Sequence, residues 1–180
     1  MPDITATAGS ASANSFVTED EFSSYIETRL NSSAYSSAST TDKQKAIIEA
    51  TRDLSDLQYY GERVDGTQAL SWPRSYAPNP DAPVIDTVLG DKLADFAEDE
   101  IPQRVKDATC ELALQYLKAG TTDIGAADSN LAVIQKTTGP ISTTYAEPSK
   151  KPQGLSRYTR VMSRIGILLK GNGGLKVTRS

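Results

Sequence analysis

Histidine is missing from all 180 residues. Its absence removes the Ser/His/Asp triad, the Cys/His pair and every histidine-containing metal site, and with them much of the catalysis that runs near neutral pH. Cysteine occurs once, as Cys110, so neither an intramolecular disulfide nor a thiolate cluster can form. Its place inside an apolar helical pattern reads as a buried, reduced side chain rather than a nucleophile. No stretch approaches the roughly 18 consecutive apolar residues of a membrane-spanning helix. The opening MPDITATAGSASANS carries neither the basic start nor the apolar run of a secretory signal. A protein made and kept in solution, with no membrane partner, is the expectation. Aromatics make up 7% of the chain and hydrophobic residues 38%, which fits one domain with a modest core and extended arms.

The formal charge of −4 conceals a strong division. Residues 148 to 180 carry Lys150, Lys151, Arg157, Arg160, Arg164, Lys170, Lys176 and Arg179 and no acid, a charge of +8. The remainder holds 11 basic and 23 acidic residues, a net of −12. A basic end on an acidic body points to a negative partner for that end, either nucleic acid or an acidic protein surface, including the body of a neighbouring copy.

Residues 1 to 15 are mostly Ala, Ser, Thr, Gly and Asn and are expected to be a flexible arm that orders only on a partner. Thr18 and Glu21 then form a capping box, and Phe22, Tyr25, Ile26 and Leu30 line one face of a helix ending near Asn31. Asn31 to Thr41 reads as a loop. Ile47, Ala50, Leu54 and Leu57 predict a second helix from Thr41 or Asp42, stopped by Gly61. Pro73, Pro78, Pro80 and Pro83 prevent the next forty residues from forming one regular element, although Asp86 to Glu98 has room for a short helix. Ile101-Pro102 opens the best helix of the chain, with Val105, Ala108, Leu112, Ala113, Tyr116 and Leu117 as its stripe and Gly120 as its stop. After a loop around Gly125 to Asn130, the segments Leu131 to Lys136 and Ile141 to Tyr145 read as short strands. Pro148 and Pro152 mark a linker. Leu155, Tyr158, Val161, Met162, Ile165 and Leu168 or Leu169 then define a last amphipathic helix with Arg157, Arg160 and Arg164 opposite, ended by Gly171, Gly173 and Gly174.

Little in this pattern carries chemistry. Gly171-Asn172-Gly173-Gly174 lies at a helix C-terminus, the wrong end for a phosphate loop. Glu98-Asp99-Glu100 precedes a helix, where its charge suits the dipole better than it suits a metal. No catalytic residue, cofactor or metal is expected. Ala69-Leu70-Ser71-Trp72-Pro73-Arg74 differs, because it holds the one tryptophan beside an arginine on a proline-restrained loop. Trp72 there is either a plug between helices or, with Arg74, part of a binding surface.

Together these segments resemble a family. The Phe22 and Tyr25 helix, the helix closing on Leu57-Gln58-Tyr59-Tyr60-Gly61, the Leu70-Ser71-Trp72-Pro73-Arg74 loop, and Ile101-Pro102 opening a helix with Ala108, Glu111 and Leu112 look like the head-tail connector, or adaptor, proteins of tailed bacteriophages. The resemblance covers residues 16 to 147. Relatives of this pattern are also labelled DnaT-like single-strand DNA-binding proteins. The link from Arg74 to Ile101 is longer than the pattern leads one to expect, with Asp81 to Glu100 as the extra stretch.

The resemblance implies a mainly helical, ring-forming virion protein beneath the portal that performs no chemistry. The fold expected is a small bundle of about four principal helices with a minor β element. Its parts would be a flexible arm (1–15), a helical connector domain (16–147) and a basic C-terminal helix and tail (148–180). The expected partners are a portal protein, tail or further adaptor proteins, and copies of itself in a ring that is usually dodecameric in such proteins. Double-stranded DNA would pass through the exit channel without specific binding, because a dense basic lining would hinder sliding and an acidic body repels phosphate. The interface residues expected are Trp72, Arg74, Arg157, Tyr158, Arg160, Met162, Arg164 and Ile165. The alternative is a single-stranded DNA-binding accessory protein that uses the basic segment as its track, with Tyr158 the one aromatic placed among those cations.

Overall fold

The computed structural model describes residues 3–30, 32–85, 92–120, 135–138, 141–144 and 154–171. It is mainly helical, as expected, with five α-helices and small two-stranded antiparallel sheets. Helix α1 (Glu19–Glu27) opens with the complete capping box: Thr18 Oγ1 accepts from the Glu21 amide at 3.1 Å, and the Glu21 carboxylate accepts from the Thr18 amide at 2.8 Å. It ends one turn before Asn31. A short helix α2 (Ser33–Ser37) stands where a loop was expected, and the exposed Leu30 lies outside both.

Helix α3 (Thr40–Ser55) is capped by Ser39, whose Oγ accepts from the Asp42 amide. It ends well before Gly61, which instead makes a tight crossing. At φ +75° its missing Cβ would sit 2.2 Å from the Ser75 carbonyl oxygen, so only glycine fits. Hairpin β1 (Glu62–Arg63) and β2 (Arg74–Ser75) follows, then β3 (Val84–Ile85) paired with β4 (Lys92–Leu93). The short helix expected at Asp86 to Glu98 is not formed in its described part. Residues 92–95 give β4 and a bridge from Asp95 to Pro78, since Pro78, Pro80 and Pro83 favour extended chain that draws its neighbour into pairing. Helix α4 (Gln103–Ala119) has Pro102 at its N-cap and Gly120 in the left-handed conformation at its end. Strands β5 (Gln135–Thr138) and β6 (Ile141–Thr144) pair as a hairpin. The last helical stretch is a 3-10 turn (Gly154–Arg157), helix α5 (Thr159–Ile165) and a second 3-10 turn (Gly166–Leu168). The expected linker and the tail beyond Gly171, including Lys150, Lys151, Lys176 and Arg179, lie outside the described residues.

The core is built where α3 and α5 pack on α4. Phe22, Ile47, Leu54, Val105, Leu112, Leu114 and Ile165 fill it. The first fifteen residues depart most from expectation. Residues 3–15 fold onto the body rather than forming a free arm. Asn14 fastens a loop by accepting from the Thr5 amide at 2.8 Å and donating to the Asp3 carbonyl at 2.7 Å. Ser10 accepts from the Ala69 amide, Phe16 is fully buried, and its amide donates to Thr51 of α3. Local turns, the Asn14 side chain and the Ser10–Ala69 bond satisfy the polar groups of this segment, while Ala13 joins the core and Ile4 and Ala8 pack against it.

Candidate functional site

The C-terminal segment reaches its place through an apolar stripe. Val161, Ile165 and Leu168 are buried against the body, while Leu155, Tyr158 and Met162 are partly buried around them. Beyond the helix the chain continues alongside Tyr59: the Tyr60 amide donates to the Leu168 carbonyl at 3.0 Å, and the Lys170 amide to the Gln58 carbonyl at 2.8 Å. Docking α5 on α4 turns its arginines toward two acids of the same chain. Arg164 lies 3.4 Å from Asp107 and Arg160 3.9 Å from Glu111. Their side chains nevertheless remain 44% and 59% exposed.

Glu111 is the pivot of this region. Its side chain is fully buried, a position that an unpaired carboxylate does not tolerate. Arg29, two residues past the end of α1, reaches it at 3.0 Å, and the Tyr25 hydroxyl donates to it at 2.8 Å. Burial and that hydrogen bond push the Tyr25 hydroxyl pKa well up, so it stays protonated and continues to donate. Four arginines, Arg29, Arg157, Arg160 and Arg164, thus gather near two carboxylates, Glu111 and Asp107. A cavity of about 270 Å³ opens beside them, lined by Glu111, Gln115, Arg157, Tyr158, Arg160 and Val161. The arrangement can hold an anion and give a planar group one aromatic surface. Among the described residues it contains no nucleophile paired with a base. Cys110, elsewhere on α4, is buried, and burial pushes its thiol pKa far up.

The Trp72 loop is built differently. Trp72 is 1% exposed, joined to Pro73 by a cis peptide, and packed edge-on against Tyr59 at 5.5 Å and Phe96 at 5.6 Å. Arg74 clamps the loop, its guanidinium donating to the carbonyls of Tyr60 (2.7 Å), Gly61 (2.7 Å) and Ser71 (3.0 Å). Of the eight residues expected at an interface, Trp72 and Ile165 lie inside the single chain, and Arg74 is engaged by its own backbone. Arg157, Tyr158, Arg160, Met162 and Arg164 come together along one helical segment. Sequence reasoning missed Arg29, Asp107 and the role of Glu111. The one signal for them was a carboxylate at position 111 between the apolar stripe residues Ala108 and Leu112.

Residues 3–180 match the family described as "Putative DnaT-like ssDNA binding protein". The chain belongs to this family. No curated protein and no solved structure matches it. The match over nearly the whole chain overturns the connector expectation: the portal, tail and adaptor partners, the ring beneath a portal in a virion, and the channel passing unbound double-stranded DNA give way to a single-stranded DNA-binding family. The physical reason is visible in the residues that carried the connector resemblance. Phe22, Tyr59, Leu70, Trp72, Ile101, Ala108, Glu111 and Leu112 are all buried, and Gly61 and Arg74 shape backbone. Such residues specify a scaffold and say little about what its surface meets. Among the described residues of this DnaT-like chain no helix is long and apolar enough to cross a membrane.

Proposed function

We propose that this DnaT-like chain binds single-stranded DNA along the exposed side of its C-terminal helical segment, as a binding protein and not as an enzyme. The observation that carries the reading is the row of Arg157, Arg160 and Arg164, with Tyr158 among them, on a segment of +8 attached to a body of −12. A strand approaching this molecule is repelled by the body and drawn to one segment, so the charge division itself selects the track. Guanidiniums bind phosphate oxygens in pairs, and a half-exposed tyrosine ring stacks only on a base that is not already stacked in a duplex. Ion pairs to Asp107 and Glu111 hold Arg164 and Arg160 in position before a strand arrives, which reduces the ordering entropy on binding.

Photo-crosslinking tests the placement. A single strand carrying 5-bromodeoxyuridine, irradiated with the protein and mapped by peptide mass spectrometry, is expected to mark the peptide that contains Tyr158. Crosslinks confined to α2, α3 or the β3–β4 hairpin contradict it.

A further inference from the structure

A second cationic surface, apart from the α5 row, lies where the end of α3, hairpin β1–β2 and Lys170 meet. Arg63 and Arg74 are directly opposite each other in the β1–β2 register. Like charges in that position destabilise a hairpin unless something negative lies between or beside them. Glu62, the chain neighbour of Arg63, acts on Arg74 through space, but among the described residues it makes no ion pair with either arginine. Among the described residues Arg63 has no ion pair, and neither does Lys170, which is exposed at the same place. A cavity of about 260 Å³ opens there, lined by Arg63, Arg74, Lys170, Ser55, Ser71 and Gln58 among others, with no acidic residue in its wall.

Two hydroxyls in that wall are also unused. Ser55 Oγ and Ser71 Oγ are buried without a hydrogen-bond partner among the described residues, and Ser71 as a whole is 3% exposed. A buried hydroxyl left unpaired is costly, and a natural structure keeps one where a ligand or ion completes it. Arg74 is held rigid by bonds to four backbone carbonyls, those of Tyr59, Tyr60, Gly61 and Ser71. Burial, and after it the facing Arg63, lower its pKa, and Tyr59 and Glu62 offset this only in part. Three cations, two free hydroxyl donors and no acid form the donor set of an oxyanion with several oxygens.

We propose that this cavity receives a phosphate group, with Arg63 and Lys170 as its mobile cations, Arg74 as a fixed positive charge, and Ser55 and Ser71 as hydroxyl donors. Resting on the proposed DNA function, the phosphate is one of the backbone of the bound strand. The C-terminal segment that bears the α5 arginines also delivers Lys170, so one strand can follow that segment into the cavity.

The test uses the full chain and two probes, inorganic phosphate and a labelled dT oligonucleotide. Trp72, the one tryptophan, neighbours Ser71 and packs edge-on against Tyr59 of the cavity wall, so its fluorescence reports occupancy. The variants are Arg63→Ala, Lys170→Ala and the double variant, with Lys118→Ala as a remote control. These positions are exposed, so folding is expected to survive, as circular dichroism will check. Phosphate should change the tryptophan signal and raise the melting temperature of the wild type and the control but not of the double variant. The double variant should bind dT about tenfold more weakly, with a salt slope shallower by about 0.7, the change for one phosphate no longer neutralised. Phosphate binding that depends on Arg63 and Lys170, without dT binding by any form, supports the cavity and makes free phosphate or a phosphate ester its source, against the DNA reading. A double variant that responds to phosphate and binds dT as the wild type does overturns the cavity while leaving the DNA reading intact. Phosphate binding abolished equally in the control, or absent from the wild type, also overturns it.

Discussion

The Arg29 guanidinium and the Glu111 carboxylate lie 3.0 Å apart although 82 residues separate them in the chain. This pair ties α1 to α4 beside the face on which the α5 arginines sit, and it makes a fully buried acid tolerable. Removing Arg29 leaves Glu111 with the Tyr25 hydrogen bond and only the more distant, exposed Arg160 at 3.9 Å. Arg29→Ala is therefore expected to destabilise the fold by about 3 kcal/mol, and Arg29→Met with Glu111→Leu together by much less, because the double change buries no charge. Urea unfolding of both variants checks this. Equal stability of Arg29→Ala and the wild type would show that solvent or another cation neutralises Glu111.

The position of Trp72 gives a second expectation. Its ring is enclosed by Tyr59 and Phe96, so Trp72→Ala should remove about 3–5 kcal/mol of stability and lower the melting temperature on the order of 10 °C in the isolated protein. Trp72→Phe should recover part of it. A melting temperature unmoved by Trp72→Ala would contradict this packing.

Glu21 supplies a pH dependence. Burial raises its pKa, but the hydrogen bond and charge of Lys106 and the Thr18 amide together bring it below the ordinary 4.5. A folded pKa below the unfolded value means that the carboxylate stabilises the fold fully above pH 4.5 and loses that effect as the pH falls through the folded value. Thermal melts from about pH 6 to about pH 3 should show the wild type more stable than Glu21→Gln at the upper end, with the gap closing toward the lower. A gap constant across that range would mean that the Lys106 ion pair at 2.7 Å does not survive in solution.

How much of this was legible in the sequence depended on the distance over which each feature acts. Thr18 with Glu21, Pro102 and Gly120 act within a turn or two, and the helices they bound fell close to their expected places. The apolar stripe from Leu155 to Leu168 gave the docking face of α5 for the same reason. Asn14, Ser10 and Phe16 are held by Thr5, Ala69 and Thr51, partners that no local pattern announces, so the N-terminal residues looked unstructured. The Trp72-Pro73-Arg74 loop has the composition of a binding surface, yet its neighbours Tyr59 and Phe96 close over the ring from distant positions. Arg63 and Arg74 became a pair only through the hairpin register, and Lys170 joined them only through the bridge of Leu169 to Tyr59. The connector resemblance failed because it rested on residues that build the interior. In the proposed reading the partner is set by charges on the outside.

Binding of single-stranded DNA by the C-terminal segment is read by fluorescence anisotropy of a labelled dT oligonucleotide over a range of salt. The wild type should bind dT with a linear log–log salt dependence and bind a duplex of the same length more weakly. Arg157→Ala, Arg160→Ala and Arg164→Ala combined should weaken binding at least about tenfold and make the slope shallower by about 2, roughly 0.7 for each phosphate no longer neutralised. Failure of the wild type to bind dT even at about 50 mM salt, or a triple variant with unchanged affinity and slope, would contradict binding along this segment.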